Sequence, residues 1–134
     1  MVILDIGYEP PEKKNILVVD DEIAIQSVFL DAFADQHFVH SSHDGRGGLK
    51  LALELQPDLI FMDVMLPGMN GHEVVKLLSV NKATKNIPVI IITARDFEPT
   101  TIGMLRNEPN VRAFLQKPFH VAELREMVRL IFEK

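Results

Sequence analysis

Residues 59–68 read LIFMDVMLPG, an apolar run that ends in a carboxylate and then a loop containing proline and glycine. An apolar run without polar interruption is typical of a central strand in a parallel sheet, because both faces of such a strand are buried. Two further runs, 16–19 and 89–92, have the same character, and weaker strand patterns lie at 38–41 and 113–116. The sequence therefore predicts five strands, three of them central.

Longer amphipathic stretches separate these strands. Residues 25–33 place apolar side chains at intervals of three and four, which gives one apolar stripe along a helix. Similar patterns predict four more helices, at 47–55, 71–80, 100–107 and 120–132. The fourth helix has the weakest pattern, because Pro99 and Pro109 bracket it and Gly103 lies inside it. The glycines within 45–48 are expected to loosen the start of the second helix. The alternation predicts an α/β fold with helices on both faces of a parallel sheet.

The composition excludes several classes of protein. The chain has 134 residues, of which 47% are hydrophobic, enough for one domain with its own core. The absence of cysteine excludes a disulfide framework and a thiolate metal site. Lys and Arg number 14 against 19 Asp and Glu, a formal charge of -5, which argues against direct nucleic-acid binding. The apolar runs are too short to cross a bilayer, so we expect no membrane association and a cytoplasmic location.

The first fourteen residues differ from the rest of the chain. A short apolar start is followed at 9–14 by EPPEKK, and this mixture of proline and charge favours an extended segment. We therefore expect 1–14 to be an N-terminal tail or linker and 15–134 to be the folded domain.

Polar residues follow the predicted strands at their carboxyl ends. They are Asp20, Asp21, Asp63, Thr93 and Lys117. In an open parallel sheet these ends lie side by side, and ligands bind in the crevice beyond them. Carboxylates without neighbouring His or Cys suit a hard cation such as Mg²⁺. An aspartate can also accept a phosphoryl group, with Mg²⁺ and a lysine stabilising the charge on the phosphoryl oxygens. Asp63 is expected to be the most exposed candidate for that role.

Four segments together resemble the receiver domains of two-component response regulators. They are VVDDE at 18–22, DVMLPGMNG at 63–71, IITA at 91–94 and KPF at 117–119. The resemblance covers about residues 15 to 133, and the order and spacing of the four segments are highly specific. It implies a flavodoxin-like (βα)5 fold, a doubly wound parallel five-stranded sheet with strand order 2-1-3-4-5.

The resemblance also implies a role for each residue at the strand ends. Asp63 is the implied phosphoacceptor. Asp20 and Asp21 are the implied Mg²⁺ ligands, Asp21 directly, and Met65 is expected to add its backbone carbonyl. Lys117 is implied to pair with Asp63 before transfer and with the phosphoryl oxygens afterwards.

Two further positions are implied to form the switch. Thr93 resembles the hydroxyl that turns toward the phosphoryl group, and Phe114 occupies the position of the rotating aromatic residue, without the hydroxyl of a tyrosine. The sequence departs from the family before the fifth strand, where Asn110 and Val111 replace the usual Gly-Ala and the stretch from Thr93 to Lys117 is slightly long.

The resemblance implies a phosphorelay function. The phosphoryl donor would be the phosphohistidine of a histidine kinase or phosphotransfer protein, and the output would be a downstream effector protein or a fused output domain. One alternative is an interaction module that works without phosphorylation. Another is a small Mg²⁺-dependent phosphatase, but such enzymes usually carry a second Asp two positions after the nucleophile, whereas Asp20 is followed there by Glu22, and the chain is too short for a cap.

Overall fold

Strands and helices alternate along the chain in the computed structural model, which describes residues 12–94 and 99–133 together with Met1 and Gly7. The elements are β1 (Asn15–Val19), α1 (Ile23–Phe33), β2 (Phe38–Ser42), α2 (Gly45–Leu55), β3 (Leu59–Asp63), α3 (Gly71–Val80), β4 (Val89–Thr93), α4 (Pro99–Arg106), β5 (Val111–Gln116) and α5 (Val121–Phe132). Most of the predicted tail, 1–14, lies outside the described residues, so that boundary stays a prediction. No helix among the described residues is both long enough and apolar enough to cross a bilayer.

All five strands pair in parallel, in the order β2-β1-β3-β4-β5. This confirms the predicted flavodoxin-like order 2-1-3-4-5. Every residue of β3 and β4 is buried, which explains why their sequences are continuous apolar runs. The edge strands β2 and β5 are half-exposed and carry weaker patterns.

The alternation of side chains along the strands builds one core on each face of the sheet. Leu17, Ile60 and Ile91 point to the face covered by α2 and α3. Their neighbours Val18 and Phe61 point to the opposite face, against apolar residues of α1 and α5. The polar strand-end residues are therefore held at the carboxyl edge of a sheet that is packed on both sides.

A β-bulge adds one residue to the stretch between Thr93 and Lys117. Val89 is paired with Val111, but the next residue of β4 is paired with Ala113, so Arg112 is an additional residue in β5. Asn110, directly before β5, is buried and its Nδ2 donates a hydrogen bond to the Val75 carbonyl at 3.2 Å. Asn110 thus connects the start of β5 to α3.

The expected loosening of α2 by its glycines is wrong. A Cβ atom on Gly45 would lie 2.0 Å from the Met69 carbonyl oxygen, so glycine is needed for the close approach of α2 to the loop after β3. The helix is also capped, because Asp44 Oδ1 accepts a hydrogen bond from the Gly47 amide at 2.6 Å. The start of α2 is fixed rather than loosened.

Candidate functional site

Asp63 ends β3 at the carboxyl edge of the sheet, between the neighbouring strands β1 and β4. Its Oδ1 accepts a hydrogen bond from the Met65 amide at 3.0 Å, and its Oδ2 accepts one from Lys117 Nζ at 3.1 Å. Asp63 is only 5% exposed, whereas Asp21 is exposed. The expectation that Asp63 is the most exposed candidate is therefore wrong, because a central strand and the residues around it enclose the carboxylate.

The loop after Asp63 is fixed by the start of α3. A Cβ atom on Gly71 would lie 2.1 Å from the Asp63 carbonyl oxygen. Only glycine at this position therefore lets α3 approach the end of β3 so closely. The Gly71 amide donates to the Val64 carbonyl at 3.0 Å. Asn70 caps α3, since its Oδ1 accepts a hydrogen bond from the Glu73 amide at 3.0 Å. The backbone that carries Asp63 is consequently held in one conformation.

Asp20 follows β1 and is fully buried. Its Oδ1 accepts a hydrogen bond from the Glu22 amide at 2.9 Å. Its Oδ2 lies 3.1 Å from Lys117 Nζ in an ion pair and accepts no well-aligned hydrogen bond from the described residues. Burial raises the pKa of Asp20 to about 6, and the negative charge of Asp63 acts in the same direction, against the Glu22 amide and Lys117. The ionised carboxylate is under-compensated.

Lys117 connects the carboxylates of β1 and β3. Its Nζ lies 3.1 Å from Asp20 Oδ2, 3.1 Å from Asp63 Oδ2 and 2.8 Å from Glu22 Oε1. Its backbone amide donates to the Thr93 carbonyl at 2.8 Å, which fixes the start of its loop beside β4. Burial by itself lowers the pKa of Lys117, but the carboxylates around it outweigh this effect and raise the pKa above its ordinary value. The side chain is therefore a cation.

The acidic residues fit a hard divalent cation. Asp20, Asp21, Glu22 and Asp63 each offer a carboxylate oxygen, and these oxygens lie within 4.8 Å of one another. Oxygen ligands without imidazole or thiolate are those that Mg²⁺ prefers. The buried Asp20 Oδ2 accepts no well-aligned hydrogen bond from the described residues, so a bound cation would add to the positive charge that Lys117 provides at 3.1 Å. The Met65 carbonyl accepts no hydrogen bond from the described residues.

The two predicted switch residues lie on β4 and β5, outside this cluster. Thr93 ends β4 and is buried, one position beyond the residue that pairs with Asp63. Phe114 is half-buried in β5, paired with Ile91, and the Arg106 guanidinium lies 5.5 Å from the centre of its ring. Because side chains alternate along a strand, Thr93 points to the same face of the sheet as Ile91 and its partner Phe114.

Glu22 is a residue of this cluster that the pattern of polar strand ends does not predict. It directly follows the Asp20-Asp21 pair, and its place as the third consecutive carboxylate is the one feature of the sequence that points to a role in the site. Its side chain reaches Lys117 across 95 positions of sequence, which no local pattern indicates.

Comparison with known proteins agrees with this geometry. The family model described as the response regulator receiver domain matches residues 16–129. The uncharacterized transcriptional regulatory protein YkoG of Bacillus subtilis is 37% identical over 119 residues, 88% of this chain and 50% of that protein. The DNA-binding response regulator MtrA of Mycobacterium tuberculosis is 33% identical over 119 residues, 87% of this chain and 50% of that protein. This chain thus spans about half the length of these curated relatives.

Solved structures show the same likeness. The chemotaxis response regulator CheY4 of Vibrio cholerae superposes with a TM-score of 0.81 at 26% identity, covering 90% of this chain and 99% of that one. The receiver domain of AraT from Geobacillus stearothermophilus gives a TM-score of 0.78 at 26% identity, covering 91% of this chain and 95% of that one.

Proposed function

Because this chain belongs to the response regulator receiver domain family, we propose that Asp63 accepts a phosphoryl group from the phosphohistidine of a histidine kinase or phosphotransfer protein. The observation that carries the proposal is the meeting of Lys117 with the carboxylates of Asp20 and Asp63 at one edge of the sheet. A lone buried aspartate would be protonated or would pair with a single cation. Asp63 instead lies beside the Lys117 ammonium and within a cluster of carboxylates that fits a divalent ion.

The transfer forms one bond and breaks one bond. A carboxylate oxygen of Asp63 bonds to phosphorus, and the phosphorus–nitrogen bond to the donor imidazole breaks, leaving an acyl phosphate and a histidine that takes up a proton. The Met65 amide orients the Asp63 carboxylate for attack. The Lys117 ammonium then leaves its contact with Asp63 Oδ2 and pairs with the more highly charged phosphoryl oxygens. Asp20, Asp21, Asp63 and the Met65 carbonyl would hold Mg²⁺, which would supply additional positive charge for these oxygens.

The switch is proposed to run from Thr93 to Phe114. The phosphoryl group attracts the Thr93 hydroxyl, and the space that this side chain vacates is open to Phe114 on the same face of the sheet. Phe114 has no hydroxyl, so its rotation changes packing against Arg106 rather than a hydrogen bond. The surface of α4, β5 and α5 is the proposed output surface, and it binds a downstream effector protein or a fused output domain.

The setting of this reaction is also part of the proposal. We expect the domain to work in the cytoplasm and to contact proteins rather than nucleic acid directly, in keeping with its formal charge of -5. Any DNA binding, as in the relatives whose names include it, belongs to a separate output domain or partner. The module that works without phosphorylation is not favoured, since Asp20, Asp63 and Lys117 are all present and in contact.

Intact-mass spectrometry with acetyl phosphate tests the proposal. We expect one phosphoryl adduct in the presence of Mg²⁺, removed by hydroxylamine, and none with Asp63→Asn or without Mg²⁺. Rapid hydrolysis can hide the adduct, so beryllofluoride binding is measured in parallel by NMR. A folded protein that binds Mg²⁺ but gives neither adduct nor beryllofluoride complex would contradict the proposal and favour an interaction module that is independent of phosphorylation.

A further inference from the structure

Glu22 makes the shortest contact with the ammonium group of Lys117. The distance from Lys117 Nζ to Glu22 Oε1 is 2.8 Å, against 3.1 Å to Asp20 Oδ2 and to Asp63 Oδ2. The three partners differ in their access to solvent. The Glu22 side chain is 57% exposed, whereas those of Asp20 and Asp63 are 0% and 7% exposed. Lys117 is therefore shared between two carboxylates inside the site and one at its mouth.

The backbone of Glu22 has a structural role that its side chain does not share. Glu22 is the N-cap residue of α1, and its carbonyl accepts hydrogen bonds from the amides of Ile25 and Gln26. Its own amide donates to Asp20 Oδ1. The side chain makes no capping hydrogen bond and extends instead to Lys117. Substitution of the side chain alone should leave the start of α1 in place.

The position of Glu22 opposes the reaction at Asp63. A phosphoryl group on Asp63 needs the Lys117 ammonium, and Glu22 occupies one of the three donors of that group. Without Glu22, Lys117 still has both buried carboxylates to hold it in the site. Glu22 thus adds competition for the cation and is not required to retain it.

We infer that Glu22 is a positioning residue that draws Lys117 toward the mouth of the site and so restrains phosphorylation of Asp63. The inference rests on the proposed function. An exposed ion pair of this kind is worth an energy that corresponds to about a fivefold change in rate or affinity. Glu22 also belongs to the acidic cluster, so the reaction rates of all variants are compared at saturating Mg²⁺.

The test compares the rate of adduct formation with acetyl phosphate and the affinity for beryllofluoride and Mg²⁺ across four proteins. Glu22→Gln removes the charge, and Glu22→Asp keeps the charge but shortens the reach. Glu54→Gln is the matched control, because Glu54 is an exposed residue of α2 with no hydrogen bond or ion pair among the described residues. We expect both Glu22 variants to react about fivefold faster than the wild type and to bind beryllofluoride more tightly, with Glu54→Gln unchanged.

Each other outcome overturns the inference in a recognisable way. Equal rates in wild type and Glu22→Gln would show that the contact does not restrain the reaction. A faster reaction in Glu22→Gln but not in Glu22→Asp would show that the negative charge at position 22 acts by repelling the anionic phosphodonor, and not through its contact with Lys117. Loss of Mg²⁺ affinity in Glu22→Gln would make Glu22 a metal ligand. Absence of adduct and of beryllofluoride binding in the wild type would defeat the proposed function itself, and the inference with it.

Discussion

Lys117 Nζ lies 3.1 Å from Asp63 Oδ2, although 54 positions separate the two residues in sequence. The same ammonium also contacts Asp20 and Glu22, so one cation balances several carboxylates that lie within 4.8 Å of one another. Like charges at such distances repel strongly unless a cation lies between them. The stability of the site and its chemistry therefore depend on the same few charges.

Replacement of Lys117 by methionine tests the balance directly. We expect Lys117→Met to lower the free energy of unfolding by about 1–3 kcal/mol near neutral pH, because the buried carboxylates lose the donor that partly satisfies them. We also expect phosphorylation with acetyl phosphate to slow at least tenfold. Urea unfolding followed by circular dichroism, with and without Mg²⁺, measures the first effect. Added Mg²⁺ should recover part of the lost stability, and Lys50→Met, an exposed change on α2, should behave as the wild type.

A wild-type stability after Lys117→Met would show that the carboxylates are satisfied without this cation. The electrostatic interpretation of the site would then be wrong.

Asp20→Asn should stabilise the protein. The pKa of Asp20 is raised from 3.8 to about 6, so the native state holds the proton more tightly than the unfolded chain does. Ionisation of Asp20 consequently lowers the free energy of unfolding of the wild type as pH rises from about 4 to about 6, and this loss persists above pH 6. Asp20→Asn removes the cost of ionising a buried carboxyl group, so it should raise the free energy of unfolding by about 1–2 kcal/mol near neutral pH. This gain in stability should shrink below about pH 5. Urea titrations at a series of pH values measure this difference. A variant less stable than the wild type near neutral pH would refute it.

Mg²⁺ binding should weaken in acid. A cation that binds Asp20 must displace its proton wherever pH lies below the raised pKa of about 6. We expect the Mg²⁺ dissociation constant to be constant above about pH 7 and to rise by up to about tenfold per pH unit below about pH 6. NMR titration of backbone amides near residues 20 and 63 reports the affinity. In Asp20→Asn the Mg²⁺ affinity should be lower and nearly independent of pH over this range. A steep pH dependence of Mg²⁺ binding in that variant would show that the competing proton is bound by a residue other than Asp20.

Two glycine-to-alanine substitutions should have opposite effects. A Cβ atom on Gly71 would lie 2.1 Å from the Asp63 carbonyl oxygen, so Gly71→Ala must displace α3 or the end of β3. We expect a loss of about 2 kcal/mol or more in the free energy of unfolding, together with slower phosphorylation. At Gly103, in α4, the added Cβ atom meets open space, so Gly103→Ala should stabilise the protein by about 0.5–1 kcal/mol.

Thermal unfolding of both variants, with the phosphorylation rate measured on each, checks the pair. If Gly71→Ala kept the stability and the rate of the wild type, the close packing of α3 against Asp63 would not matter for the site.

The sequence by itself determined the elements of the fold and most members of the site. Continuous apolar runs predicted β1, β3 and β4 because both faces of a central strand are buried, and the helical stripes predicted all five helices within a few residues at their ends. The polar residue after each central run predicted Asp20, Asp63 and Thr93, since the carboxyl ends of parallel strands share one edge. These signals are local and need no knowledge of contacts.

The tertiary structure alone decided the rest, because those features depend on which atoms meet across the sheet. The burial of Asp63 follows from its place between two neighbouring strands, not from its own sequence context. The extra residue Arg112 is visible only in the pairing of β4 with β5. Glu22 is an exposed carboxylate without periodicity, and its partner Lys117 is 95 positions away. A side chain of that kind acquires its contacts only when the sheet order brings the two loops together.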